Sequence, residues 1–324
     1  MSAKIKTNNL RNITNKLRKF EKYEPPKCNN PDLPPIYNII LSAAVKNGGK
    51  TYNCVQLLTN YENAGFTSAK GNSVRMRIVW VAGGTARSDN NSILNSLKYL
   101  HEDDRIDVEE NIDQKMNEIY EELKIERDTI EAYNIYREIF GKFKAKKLSL
   151  LTTEELMVLN FKNYIDPAID PDCPQDVDGN KLYEPRIVFL IIDDLISNKE
   201  AFSSKRGNFF NKIAVKSRHN SPELVPLNLY FITQSFKAVS VVIRKQVDLF
   251  VLMRSANRKY ILETISDEVG SLFTREELEE YYDAVMAIEH GSLILSVHKA
   301  ELPENRVRIG WDKSITRDPK YINA

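Results

Sequence analysis

The chain has 324 residues, of which 46 are basic and 45 acidic, so with a net charge of +1 any surface for a polyanion must be local. Its three cysteines, Cys28, Cys54 and Cys173, form no C-x-x-C pair, which excludes a zinc or redox signature and is typical of a reducing compartment. With 42% hydrophobic residues the chain is expected to bury a core, but its longest apolar runs, such as residues 187–192, are too short to span a bilayer.

Residues 1–35 are predicted to form a basic, flexible N-terminal arm. Lysines and arginines are spread among Asn and Thr up to residue 22, and prolines between residues 25 and 35 oppose regular structure. One interpretation is a solvated arm, and the alternative is an arm that contacts DNA phosphates or an acidic partner. We expect residues 36–324 to form a single domain.

A phosphate-binding loop is indicated between a short apolar strand at residues 36–41 and a helix at residues 52–60. The sequence reads A-x-x-x-x-G-K-T, with Ala44 in place of the usual first Gly. Backbone N–H groups of such a loop and of the helix N-terminus bind phosphates. Lys50 is expected to reach the β- and γ-phosphates, and the Thr51 hydroxyl to bind Mg²⁺. The nucleotide-binding residues predicted here are Ala44, Val45, Lys46, Asn47, Gly48, Gly49, Lys50, Thr51 and Tyr52; the alternative is a chance match in a Gly-rich turn.

The middle of the chain contains three segments with different sequence patterns. Residues 76–82 read as a second strand, whereas apolar residues at helical spacing between 112 and 133 predict a helical insertion over residues 102–165 that packs on the sheet. A lid or an intersubunit arm is the alternative for this insertion. Residues 166–185 are rich in Pro and Asp, but their spacing does not fit a calcium loop, so we interpret them as an acidic connector.

A second half of a nucleotide site is predicted where the apolar run at residues 186–192 ends in two carboxylates. Such a run suggests a strand buried on both faces, as in a parallel sheet. Downstream of a phosphate loop, Asp193 would hold Mg²⁺, directly or through water, and Asp194 would orient or deprotonate the attacking water. Two acids at a strand end also fit simple helix capping.

Polar and basic residues around the next strand complete the predicted site. Residues 227–233 form a strand that ends at Gln234, which we expect to sense the γ-phosphate and position water. No N-K-x-D motif follows the two acids, which favours ATP over GTP. Arg218 and Arg244 are candidates for a cation supplied to the transition state, often from a neighbouring subunit, although each also fits an ordinary surface arginine.

The last part of the domain, residues 260–324, is predicted to add helices and edge strands. Residues 266–286 read as two short helices, the second capped by Thr274 and Glu277. Residues 292–297 and 307–311 read as strands. Trp311 has the chemistry to stack on a base, but packing against the sheet is the commoner role of such a residue.

In this order, the motifs resemble the poxvirus-type genome-packaging ATPases of the FtsK–HerA superfamily. The resemblance rests on the phosphate loop, Asp193-Asp194, Arg218-His219, Gln234 and Ile243-Arg244, and covers residues 36–60 and 185–255. The two aspartates look like the viral branch, since the cellular DNA pumps more often carry Asp-Glu. Gln246 departs from the Asn that is more usual in the family, and Ala44 from its Gly.

The resemblance implies fold, cofactors and partners. It implies an α/β fold of the P-loop NTPase class (ASCE, RecA-like), with a mostly parallel central sheet, helices on both faces and the active site at the strand C-termini. It further implies ATP and Mg²⁺ as cofactors, and a pentameric or hexameric ring of identical subunits. Such a ring drives double-stranded DNA into a capsid by docking on a capsid or vertex protein, in the host cytoplasm or viral factory or on the virion.

Two other functions are compatible with the sequence. One is a monomeric nucleotide-dependent switch or phosphotransferase that acts without DNA. The other is a structural assembly protein with a decayed site, against which the intact Gly49-Lys50-Thr51 and Asp193-Asp194 argue.

Overall fold

The computed structural model describes most of the chain from residue 25 onward. The described ranges are 25–44, 48–83, 89–108, 111–144, 152–153, 173–195, 208–217, 225–255, 257–270, 272–298, 306–311 and 313–315. The strands are β1 (Lys27–Cys28), β2 (Ile39–Ala43), β3 (Phe66–Thr67), β4 (Ser73–Val74), β5 (Met76–Ala82), β6 (Arg105–Asp107), β7 (Ile187–Asp193), β8 (Leu227–Thr233), β9 (Leu249–Met253), β10 (Ser292–Ser296), β11 (Val307–Ile309) and β12 (Lys313–Ile315). The α-helices are α1 (Lys50–Ala64), α2 (Ile112–Lys144), α3 (Phe209–Ser217), α4 (Val241–Arg244), α5 (Arg258–Val269) and α6 (Arg275–Met286).

Nine of these strands form one central sheet, in the order β12-β11-β10-β9-β2-β8-β7-β5-β6. The six strands from β9 to β6 are parallel, and β10, β11 and β12 continue the sheet in antiparallel fashion. Every residue of β2, β7 and β8 is buried, as expected of parallel strands covered on both faces. The predicted fold class, a mostly parallel α/β sheet flanked by helices, is confirmed.

Helices cover both faces of the sheet because side chains alternate along each strand. On one face, Leu41, Leu190 and Phe231 join a core that includes apolar residues of α2, α3, α4, α5 and α6. On the other face, residues such as Ile191 and Tyr230 pack with α1 and with the segment around Leu94. Of the α-helices that the structure describes, α1 is therefore the one that packs on this second face.

The long helix α2 is fastened to the sheet by buried charges as well as by apolar packing. The carboxylate of Glu126 lies between two arginines of the sheet: Arg77 Nη1 is 2.9 Å from Glu126 Oε2, and Arg186 Nε donates to Glu126 Oε1 at 2.7 Å. Arg77 also donates from Nη2 to Asp104 Oδ1 at 2.7 Å. Burial would raise the pKa of Glu126, but hydrogen bonds and charges from Arg186 and Arg77 outweigh it and lower that pKa.

Two boundaries near the N-terminus differ from the prediction. The strand predicted at residues 36–41 is β2, which begins at Ile39 rather than at residue 36. The reason is that Tyr37 has φ +66°, a left-handed conformation that a strand cannot contain. Residues 25–35, assigned to the flexible arm, lie on the domain: β1 pairs with β3, and Leu33 is buried among residues of α1. The arm prediction for residues 1–24 lies outside the described residues.

Other differences concern short strands. Residues 105–107 were assigned to the helical insertion, but they form β6, an edge strand parallel to β5. Strands β9 and β12 were not predicted. The strands at 76–82 and 227–233 have the predicted bounds, and Thr274 caps α6 by accepting from Glu277 N at 3.2 Å.

The described part of the acidic connector is a turn organised by Asp176. Its carboxylate accepts hydrogen bonds from the backbone of Asp178 and Asn180 and pairs with Arg75 at 3.1 Å. Among the helices within the described ranges, none has both the length and the hydropathy that a membrane crossing requires.

We predict that Glu126→Gln destabilises the fold by about 1–3 kcal/mol, because two largely buried guanidinium groups lose their shared carboxylate. The lowered pKa means that the wild-type contribution is present above the ordinary glutamate value and is lost as the pH falls through the lower, folded value. The difference between variant and wild type should therefore shrink below about pH 4. Urea unfolding at several pH values measures it.

A matched control is Glu122→Gln, since Glu122 contacts the same Arg77 at 2.7 Å but its side chain is 64% exposed, against 21% for Glu126. This change should cost no more than about 0.5 kcal/mol. Equal losses for the two variants would show that the buried pair does not fasten α2.

Candidate active site

The phosphate loop is built where β2 gives way to α1. Ala44 is buried at the end of β2, Gly49 has φ +83°, and α1 starts at Lys50. No side chain caps this helix, which lies wholly within the described residues, and its first turn holds no acid. Its N-terminal N–H groups and positive dipole end therefore face the loop without competition from a side chain. Val45, Lys46 and Asn47 lie outside the described residues.

The side chain of Lys50 folds back towards Ala44, which follows the last residue of β2. Its Nζ donates to the carbonyl of Ala44 at 2.9 Å. Burial lowers the pKa of Lys50, and the charges of Asp194 and Asp193 act in the opposite direction. The ammonium group is thus held at the start of the phosphate loop, close enough to the two acids for their negative charges to act on it.

The two acids end β7 in different surroundings. Asp193 is only 7% exposed, and the alternation along β7 directs it to the same face as Phe189 and Ile191, which is the face covered by α1. Burial, reinforced by the charge of Asp194, raises the pKa of Asp193 to about 6, while Lys50 and the Trp80 indole lower it. Asp194 is exposed and has φ +47°, a left-handed conformation that Asp tolerates better than most residues.

Gln234 joins the acids through a direct hydrogen bond. Its Nε2 donates to Asp194 Oδ2 at 2.8 Å. The register explains this contact, because Asp193 is paired with Ile232 of β8, and Asp194 N donates to the carbonyl of Ile232 at 3.1 Å. On the other side of β8, Ala44 N donates to the carbonyl of Thr233 at 3.3 Å. The start of the loop, Gln234 and Asp194 therefore lie together at the carboxyl ends of three adjacent parallel strands.

The donor set suits Mg²⁺ bound together with a nucleotide. Among the described residues, no group of three or more His, Cys, Asp or Glu side chains could hold a metal ion. Asp193 and the half-buried Thr51 hydroxyl offer one carboxylate and one hydroxyl, and Mg²⁺ is commonly held by one or two such ligands with phosphates and water. Bound there, Mg²⁺ would neutralise phosphate charge and offset the electrostatic cost of burying Asp193.

A cleft of about 700 Å³ opens directly beside Gly48 and Gly49. It is lined on one side by Tyr52, which is 62% exposed, and on the other by Ile288, Gly310 and Lys313. Its size and its aromatic and aliphatic walls suit the base and ribose of a nucleotide whose phosphates lie on the loop. Ile288 and Lys313 were not predicted, because no local pattern connects them with a loop more than 200 residues earlier.

The wall of this cleft is tied to α1 by a buried contact that the sequence did not reveal. Trp311 Nε1 donates to the carbonyl of Asn53 at 2.8 Å, and Asn53 Nδ2 donates to Ser292 Oγ at 3.0 Å. Trp311 is fully buried, so it packs on the helix of the phosphate loop and is not exposed to stack on a base.

The two candidate arginines differ in what the structure describes. Arg244, on α4, has its Nε 2.9 Å from Glu268 Oε1, and both side chains are nearly buried. It is thus already neutralised within its own chain. Arg218, with His219, lies outside the described residues.

No protein-family model matches this chain, and no curated protein matches it. Solved structures with a similar fold include the DNA-packaging ATPase B204 from Sulfolobus turreted icosahedral virus, with a TM-score of 0.42 and 13% identity over 85% of this chain and 97% of that chain. The genome packaging NTPase B204 from Sulfolobus turreted icosahedral virus 2 gives a TM-score of 0.40 and 14% identity over 84% and 96%. ATPases 2 and 3 of EssC from Geobacillus thermodenitrificans give 0.38 and 11% over 90% and 42%. At these values the similarity does not bear on function.

We predict that Gly49→Ala lowers nucleotide affinity at least about tenfold and the free energy of unfolding by about 1–2 kcal/mol, because φ +83° is costly for any residue with a Cβ. Isothermal titration with ATP and urea unfolding give the two quantities. Gly71→Ala is the matched control, since Gly71 has φ +81° and likewise no neighbour that a Cβ would touch. It should lose similar stability and keep its ATP affinity; equal ATP affinities in the two variants would contradict the loop assignment.

Proposed function

We propose that the protein is an ATP-hydrolysing motor of the genome-packaging type, which translocates double-stranded DNA into a viral capsid. The observation that carries the ATPase part of the proposal is the 2.8 Å hydrogen bond between Gln234 and Asp194, at the end of the sheet where Lys50 Nζ contacts the carbonyl of Ala44. The packaging part is supported by the order of motifs, which resembles that of the packaging ATPases.

In this proposal, each side chain acts at a defined point of the triphosphate. Backbone N–H groups of residues 45–51 hold the α- and β-phosphates, and the Lys50 ammonium group stabilises charge on the β- and γ-phosphates. Asp194 accepts a proton from the attacking water. Gln234 holds the Asp194 carboxylate in position through the hydrogen bond that it already donates to it, and lies where its amide group can also orient that water. Thr51 and Asp193 would hold Mg²⁺, while Tyr52 contacts the base and ribose in the adjoining cleft.

A ring of five or six subunits would complete the site with an arginine from the neighbouring subunit. The ion pair between Arg244 and Glu268 favours Arg218 for that role, because a guanidinium group that is buried against a carboxylate has less charge to offer to a second site. Arg244 then has a structural role, because its ion pair with Glu268 holds α4 in place after β8, the strand that Gln234 follows. Double-stranded DNA and a capsid or vertex protein are the proposed partners, with the host cytoplasm, viral factory or virion as the place of action.

We predict that Asp194→Asn binds ATP within about threefold of wild type and hydrolyses it about 10²–10³ times more slowly, since the amide cannot accept the proton. Asn is as well suited as Asp to the left-handed conformation at this position, so the fold should be kept. Single-turnover hydrolysis and ATP titration separate the two effects. Asp103→Asn, at an exposed acid remote from the loop, is the control; turnover at the wild-type rate in the Asp194 variant would remove Asp194 from the reaction.

We further predict that a long DNA duplex increases the ATPase rate at about 50 mM salt and that the increase fades by about 200 mM, because a translocase grips phosphates. Lys50→Ala supplies the background rate with and without DNA. Gel filtration with a non-hydrolysable ATP analogue tests the ring in parallel. A monomer whose hydrolysis is indifferent to DNA at both salt concentrations would support a nucleotide switch or phosphotransferase instead.

A further inference from the structure

Helices α3 and α4 form one continuous outer surface on the side of the sheet opposite to α1. The buried residues Phe210 and Ile213 of α3 and Ile243 of α4 belong to the same core, so both helices lie on the same face of the sheet. Ser240 Oγ, at the start of α4, donates to Asn211 Oδ1 of α3 at 2.5 Å. The residues of both helices that point away from this core therefore lie next to each other on the protein surface.

Four exposed lysines occupy this surface. Lys212 and Lys216 are one helical turn apart on α3, while Lys237 precedes α4 and Lys245 follows it. We call these four residues the basic surface. Three exposed valines lie among them: Val215, Val241 and Val242.

The two segments that carry the basic surface contain few acids. Within residues 208–217 and 234–248 the sequence has one acid, Asp248, which is buried and accepts from Ile39 N at 2.9 Å. From neighbouring helices, Glu268 pairs with Arg244, and Asp113 accepts from Phe209 N at 3.2 Å. In a chain with 46 basic and 45 acidic residues, this is a strong local excess of positive charge.

The basic surface is joined to the active site by a short stretch of chain. Gln234, which contacts Asp194, is three residues before Lys237. Between them, Ser235 Oγ lies 2.9 Å from the hydroxyl of Tyr260, and the Lys237 Nζ lies 4.9 Å from the centre of the Tyr260 ring. Gln234 and Lys237 therefore belong to one short segment, which contacts Tyr260 at Ser235 and at Lys237.

We propose that the basic surface binds the phosphate backbone of double-stranded DNA, and that Gln234 links this grip to the state of the nucleotide. The assignment rests on the proposed function for its substrate. Lysine is a compact point charge that suits phosphates, and it is depleted in protein–protein interfaces, so the four lysines favour DNA over an acidic protein.

The test uses the full chain and a fluorescent 30-base-pair duplex. The variant carries Lys212→Ala, Lys216→Ala, Lys237→Ala and Lys245→Ala. Its matched control carries Lys27→Ala, Lys70→Ala, Lys98→Ala and Lys181→Ala, which removes the same charge at four exposed lysines outside these helices. Binding is measured from about 50 to 300 mM salt with the ATP analogue bound, and ATP affinity is measured separately for each protein.

We expect the slope of log K against log salt to fall by about 3 to 4 in the basic-surface variant, at about 0.9 per lost phosphate contact, and Kd to rise at least about 100-fold at 100 mM salt. ATP affinity should be unchanged, and the control should keep the wild-type slope. Two single changes, Lys212→Ala and Lys245→Ala, should each lower the slope by about 1, which excludes misfolding of the fourfold variant as the cause.

Three results would overturn the inference, and they can be told apart. A fourfold variant that binds DNA with the wild-type slope places the DNA site elsewhere and leaves the proposed function standing. A wild-type protein that binds ATP but no duplex at any salt concentration refutes the DNA motor as well. Binding of poly-glutamate, but not of duplex, through the four lysines would make the basic surface a site for an acidic protein.

Discussion

The pairing of β8 with β2 on one side and β7 on the other is the constraint on which the candidate site depends. These backbone hydrogen bonds hold the phosphate loop and the two acids two strand spacings apart, which is about 10 Å. This distance is wide enough for a phosphate and a water molecule. Gln234 directly follows β8, the strand that lies between β2 and β7. A one-residue slip of β8 would move Gln234 away from Asp194 and turn its side chains to the other face. Burial of β8 on both faces makes such a slip costly.

Burial acts on the charges of the site in two opposite directions. Burial raises the pKa of Asp193 to about 6 and lowers the pKa of Lys50. The charged form of each group is therefore less stable here than it would be in water. Poorly solvated charges of this kind are common where a protein binds a charged ligand. At Glu126, by contrast, two arginines fully compensate for burial, which suits a structural fastening.

The sequence predicted the parts of the fold that depend on continuous local patterns. The apolar runs of β5, β7 and β8 gave strands with nearly correct bounds, and the turn chemistry around Gly49 placed the start of α1 within two residues. Short strands such as β6 and β12 were missed or assigned to helix, since three residues carry too little periodicity and their pairing partners supply the stability. Tyr37 could not be identified as a left-handed residue, because its conformation depends on its surroundings and not on an intrinsic preference. The site residues within single motifs were predictable. The cleft residues Ile288 and Lys313, and the four lysines on α3 and on either side of α4, are brought into place only by tertiary packing.

The tie between Asn53 and the C-terminal strands also bears on how the protein is made. The hydrogen bonds from Asn53 to Ser292 and from Trp311 to Asn53 join residues 239 and 258 positions apart. During synthesis, β2 and α1 leave the ribosome long before their covering wall exists, and contacts of such separation form late. The cleft beside the phosphate loop therefore closes only when strand β11 and Trp311 have been added. A nucleotide can stabilise the finished domain by binding to it, but it has no complete cleft in which to assist the folding steps that come before.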